Sequence, residues 1–89
     1  RLARVFEKTL GHANAVKREP VMAGEDFGRF GATDPRVPSV LFWLGVVDPQ
    51  KMSGPLPSLH SSGYLPLAEP AIRTGVRAMA AAVLDLMRP

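Results

Sequence analysis

One histidine, His60, sits in "PSLHSSGYLPL", residues 57–67, between a proline-rich loop and the start of a helical pattern. An imidazole at such a junction can exchange a proton near neutral pH or ligate a metal through a neutral nitrogen. It can also simply hydrogen-bond where an apolar region meets water. Ser61 and Ser62 follow it, but no base stands at readable spacing, so the serines do not read as nucleophiles. A second cluster with chemical potential is "AGEDF", residues 23–27. Gly24 there would let the backbone approach a ligand closely. Glu25 and Asp26 fall where a short helix would begin, and the unpaired N–H groups of a first helical turn favour negative charge. The only other histidine, His12, follows a helix stop, reads as a surface residue and has no metal-type spacing to His60. Two histidines and no cysteine do not by themselves complete a catalytic site that needs three protein ligands.

The elements that would position these groups follow from apolar spacing. Leu2, Val5, Phe6 and Leu10 recur at helical intervals, and Gly11 then fits a left-handed helix stop. Ala13 to Lys17 reads as a brief edge strand, ended by Pro20. The acidic pair opens a short helix on which Phe27 and Phe30 share a face, with Gly31 closing the turn. "PSVLFWLGVV", residues 38–47, is β-branched and aromatic with no polar alternation, the pattern of a strand covered on both faces. A long loop dense in proline and glycine follows. Residues 67–87 carry the strongest helical pattern: Ile72, Val76, Met79, Val83 and Leu86 step by four and three, and Glu69 to Arg73 is the favoured order for an ion pair. Phe27, Phe30, Trp43 and the Ile72–Leu86 stripe read as core. Pro70 is tolerated because a first helical turn has N–H groups to spare.

The sequence of 89 residues is 46% apolar, with net charge +3 and a pI near 10.0. That length allows one domain, and that apolar fraction excludes a disordered tail. No apolar run is long enough to span a bilayer. The basic residues are scattered among acids, so they read as solvated surface rather than as a nucleic-acid interface. The lack of cysteine suits a reducing compartment, here the cytoplasm. The chain begins at Arg1 within what reads as the body of a helix, as a truncated chain would. A two-sided strand at 40–47 needs hydrogen-bond partners on both edges, and each buried group left unpaired costs ~1–3 kcal/mol. The short stretch near Ala15 can serve one edge at most. The expected fold class is therefore α/β, in the order helix, weak strand, short helix, core strand, long loop, long helix, with the rest of a mixed sheet supplied from elsewhere.

In that order the chain resembles the C-terminal end of the hippurate hydrolase, N-acyl-amino-acid amidohydrolase and carboxypeptidase family of dinuclear metallopeptidases. "PVMAGEDFGRF" resembles the family's Gly-Glu-Asp-Phe turn, "VPSVLFWLG" its next core strand, and "LHSSGYLP" its closing Leu-His-Ser motif before the last long helix. The match runs from roughly Arg1 to Leu86.

The resemblance implies that residues 1–89 are the C-terminal portion of a single metallopeptidase-type catalytic domain, without its N-terminal portion and without the dimerisation domain through which the parent would form a homodimer. It implies that His60 ligates one of two divalent metal ions (zinc, manganese or cobalt), and that Gly24 and Glu25 lie near the substrate. The substrate would be an N-acyl amino acid or small peptide, with neither nucleic acid nor membrane as partner. In that chemistry a metal-bound water attacks the amide carbonyl and a carboxylate carries the proton to the leaving amine. The family's other ligands and its acidic pair have no match here, so no catalytic residue is assigned and the chain alone is expected to be inactive. The alternative is a non-catalytic α/β interaction module that completes its sheet with a partner chain.

Overall fold

A computed structural model describes residues 1–19, 26–34 and 36–89. Three α-helices carry its regular structure: α1 over Leu2–Leu10, α2 over Gly28–Thr33 and α3 over Ala68–Leu86. Short 3-10 turns stand at His12–Asn14 and Pro49–Lys51.

The expected α/β class is corrected here: the described residues are helical and contain no strand. The reason lies in the backbone. A strand exists through a ladder of paired N–H and C=O groups on a neighbour. Residues 38–47 have no such neighbour among the described residues; one backbone bond, from the Leu67 N–H to the Val46 carbonyl at 2.8 Å, ties their far end to the approach of α3. The other candidate strand, Ala13 to Lys17, begins inside a 3-10 turn, in which Asn14 N–H donates to Gly11 O at 3.0 Å and Ala15 N–H to His12 O at 3.4 Å. β-branched composition marks a chain suited to a strand but supplies no partner.

α1 ends at Gly11, the residue the sequence points to, but not in the left-handed helical conformation expected of it. Gly11 takes φ 92°, ψ 145°, and its N–H returns to Glu7 O at 3.0 Å. The positive φ suits glycine, although ψ lies well outside the left-handed helical well. α1 and α3 run antiparallel. The Arg1 guanidinium meets Asp85 Oδ2 at 2.7 Å near the C-terminal end of α3, and Arg77 Nη2 donates to the Thr9 carbonyl at 2.7 Å, at the opposite end of α1. That second contact serves one of the last carbonyls of α1, which has no intrahelical donor left.

The face α3 turns inward is small. Ala71, Ala78 and Ala82 are its buried residues, and Ala78 is only 2% exposed. Short side chains there allow α1 and the 42–44 segment to come close: Leu44 Cδ2 lies 3.1 Å from where a Cβ on Gly75 would stand, and the Phe6 and Phe42 rings meet at a 56° tilt with centroids 4.8 Å apart. The stripe expected to be core is outside. Ile72, Val76, Met79, Val83 and Leu86 are all exposed, as are Phe30 and Trp43. Periodicity reveals a stripe but not which face finds a neighbour, and here α1 meets the alanines. Three alanines are the buried apolar residues among those described, and the radius of gyration is 15.2 Å. A compact domain of this length would measure about 12 Å.

α2 lies further along the chain than expected: it starts at Gly28, so Asp26 precedes it instead of standing in its first turn, and Gly31 lies inside it rather than closing it. Phe27 and Phe30 do share a face, with ring centroids 5.6 Å apart. In the loop after residue 47, Asp48 caps the turn by accepting the Gln50 N–H at 3.0 Å, and Pro49 sits at the first turn position.

Candidate functional site

His60 lies in a double turn. Ser61 N–H donates to the Ser58 carbonyl at 3.0 Å and Tyr64 N–H to the Ser61 carbonyl at 3.1 Å, so the chain winds tightly from 58 to 64. Gly63 packs beside Pro57, whose ring carbons lie 3.7 Å from where a Cβ on Gly63 would stand. The imidazole at the crest of the turn is exposed, as are Ser61 and Ser62. An exposed ring on a locally hydrogen-bonded turn is accessible to a ligand from outside the loop.

Among the described residues no three His, Cys, Asp or Glu side chains come together in a way that could hold a metal ion. The donors described here therefore do not make a complete metal site, and His60 fits such a site as a single ligand only. His12 is where the sequence placed it, on the surface, with Nδ1 3.6 Å from Glu7 Oε1. Gly24 and Glu25, expected near the substrate, lie outside the described residues. Asp26 is described and serves α2: its carbonyl accepts the Arg29 N–H at 3.0 Å and its carboxylate lies 4.0 Å from Arg29 Nε.

Two concavities flank these elements. One, of about 340 Å³, is the bowl of the 47–65 loop, lined by Val47, Lys51, Pro55, Leu56 and Tyr64 among others. The second, of about 820 Å³, is the groove between α1, residues 41–45 and α3, lined by Phe6, Leu10, Phe42, Leu44 and Arg77 among others. His60 lines neither. Sequence reasoning did not identify the bowl. Its signal was available in the close spacing of Gly54, Pro55 and Pro57, which bends the loop back upon itself.

Elsewhere on the surface one ion pair has electrostatic consequences. Arg36 Nε and Nη2 reach the two oxygens of Asp34 at 3.0 and 3.1 Å, and the Arg36 N–H donates to the same carboxylate. The guanidinium first, and that backbone bond second, hold the Asp34 carboxyl below its ordinary range. The Arg36 guanidinium is raised by the same contact.

Comparison with known proteins gives a consistent set of relatives. The chain is 39% identical over 74 residues to an N-acetyldiaminopimelate deacetylase of Lactobacillus acidophilus, covering 83% of this chain and 17% of that protein. It is 41% identical over 66 residues to the deacetylases of the same name from Lactiplantibacillus plantarum and Limosilactobacillus reuteri, covering 74% of this chain and 14% of each relative. The chain thus spans about one sixth or less of the length of the curated relatives it matches. Any 74-residue stretch of an 89-residue chain includes residues 16 to 74, and any 66-residue stretch includes residues 24 to 66. Gly24, Glu25 and His60 therefore lie inside every one of these alignments. No protein-family model matches the chain, and no solved structure matches it significantly.

Proposed function

We propose, from the premise that this chain belongs to the hippurate hydrolase family of amidohydrolases, alongside the N-acetyldiaminopimelate deacetylases, that it contributes one metal-ligating histidine, His60, to a site that hydrolyses the amide bond of an N-acyl amino acid. The observation that carries this reading is the inclusion of the His60 turn in every alignment with the deacetylases. Supporting it, the turn exposes the ring on a hydrogen-bonded backbone while leaving the imidazole accessible.

The relatives' name points to an acetyl group on an amino acid as the bond to be cleaved, and this is the substrate class we assign. A divalent metal held there would supply an activated water and polarisation of the acyl carbonyl. His60 would hold such an ion as a neutral imidazole, with its second ring nitrogen oriented by an acceptor. The remaining ligands, and the carboxylate that moves the proton, are not among the described residues. Glu25 and Gly24 are assigned to the substrate side of the site. In this reading residues 1–89 form the C-terminal part of one catalytic domain of a longer parent, and the 89 residues alone are inactive.

The test uses a whole protein. The homologous stretch of the Lactobacillus acidophilus deacetylase is replaced by this chain, and release of acetate from N-acetyl amino acids is followed. Hydrolysis by the chimera, lost on His60→Ala with the fold retained by circular dichroism, is the expected result. Full activity of the His60→Ala chimera would refute the ligand role.

A further inference from the structure

Residues 47–66 leave the helical part of the molecule and return to it. The Leu67 N–H donates to the Val46 carbonyl at 2.8 Å, which closes the neck of this excursion. Inside it the backbone is braced by its own bonds. Asp48 accepts the Gln50 N–H at 3.0 Å, the Lys51 N–H returns to the Asp48 carbonyl at 2.9 Å, and on the far side the Tyr64 N–H reaches the Ser61 carbonyl at 3.1 Å. Pro49, Pro55 and Pro57 fix three further backbone angles. Long connections that keep a definite shape without regular structure are where binding residues concentrate. What this bracing encloses is the bowl of about 340 Å³. That volume stands at the low end of ligand pockets and suits a small molecule.

The lining of the bowl combines apolar surface with a single charge. Val47 and Tyr64 are half-buried there, Pro55 and Leu56 add apolar surface, and Lys51 is the one charged residue among the described residues that line it. The nearest carboxylate along the chain, Asp48, is engaged as the cap of the turn and does not line the bowl. Among the described residues no carboxylate pairs with the Lys51 ammonium. We propose that the bowl binds a small organic carboxylate, its charged end on Lys51 and the Tyr64 phenol, its apolar body against Pro55 and Leu56. An ammonium is a compact charge with three rotatable donors, and it can follow a carboxylate without demanding one orientation. The phenolic O–H supplies a second donor, and its ring supplies apolar area. One cation balances one negative charge, so a monoanionic carboxylate is matched where a dianionic phosphate leaves a charge uncovered. His60 does not line the bowl, and the proposal needs no metal.

The experiment follows amide NMR spectra of the 89-residue chain during titration with phenylacetate, with its neutral isostere phenylacetamide and with phenyl phosphate. Phenylacetate should give saturable shifts confined to residues 50–56 and 63–65, and phenylacetamide should bind ~5-fold more weakly for want of the ion pair. High salt should weaken the acid and spare the amide. Lys51→Met should bring the acid down to the level of the amide, Lys51→Arg should keep the preference, and Tyr64→Phe should weaken the acid and spare the amide. Lys51 is exposed, so both of its substitutions should leave the helical circular-dichroism signal unchanged. Equal binding of acid and amide by the unsubstituted chain would overturn the proposal, whatever the variants do. So would shifts that spread over Arg4 and Lys8 without saturating, tighter binding of phenyl phosphate than of phenylacetate, or an acid preference that survives Lys51→Met.

Discussion

Gly75 and Leu44 offer a sharp test of how α3 sits against the 42–44 segment. Glycine inside a helix costs about 0.8–1.0 kcal/mol relative to alanine. Taken alone, Gly75→Ala should therefore stabilise α3 by nearly that amount. The structure adds an opposing contribution, because the new methyl would stand 3.1 Å from Leu44 Cδ2. Leu44 is 37% exposed and can move, at the cost of a displaced rotamer of about 0.5–1.5 kcal/mol. The two effects are of equal size, and Gly75→Ala in the parental chain should leave stability unchanged within ~0.5 kcal/mol. Leu44→Ala removes the obstructing methyl. In that background Gly75→Ala should recover its full helix gain of about 1 kcal/mol, a coupling of the same size between the two sites. Urea denaturation of the four variants, followed by far-UV circular dichroism, measures that coupling. Equal stabilisation by Gly75→Ala in both backgrounds would show that Leu44 does not lie over Gly75, and the packing described here for α3 would be wrong.

Three further outcomes follow from contacts already described. Arg77→Ala should cost ~1 kcal/mol, because its bond to the Thr9 carbonyl joins α1 to α3, whereas Arg77→Lys should recover part of the loss; a change indistinguishable from zero by urea denaturation would mean water replaces that bond fully. Ala78→Leu should destabilise the α1–α3 pair by ~1–3 kcal/mol through overpacking at a position that is 2% exposed, and a neutral result would place α1 elsewhere. The Asp34 carboxyl is held below its unfolded value, so its contribution to stability is present above the ordinary aspartate pKa and is lost as pH falls through the depressed folded value. NMR titration should find Asp34 titrating higher in Arg36→Ala, where only the backbone N–H bond remains to lower it, and an unchanged titration would remove the guanidinium as the cause.

The helices were legible in the sequence because their periodicity is internal to each segment. Leu2 to Leu10 and the 67–87 pattern needed nothing beyond their own spacing, and Gly11 marked the end of the first, though not in the left-handed helical conformation expected. The strand at 38–47 was not legible in the same sense. Its composition is right for a sheet, but a strand is a relation between two segments, and the second segment is missing among the described residues. The inward face of α3 was hidden for a related reason. Large apolar residues at regular steps look like core, while Ala71, Ala78 and Ala82 carry little hydrophobic signal although they are what α1 meets. At the candidate site, His60 stood out through its position before a helix and through the Leu-His-Ser resemblance. The bowl containing Lys51 and Tyr64 has no helical or strand period to announce it.

The central functional claim is that His60 binds metal in an amidohydrolase of this family, and metal content per chain tests it most directly. Elemental analysis of the purified deacetylase chimera should find less bound divalent metal per chain in His60→Ala than in the parental sequence, with the helical signal preserved. An identical metal content in the two proteins would contradict the assignment.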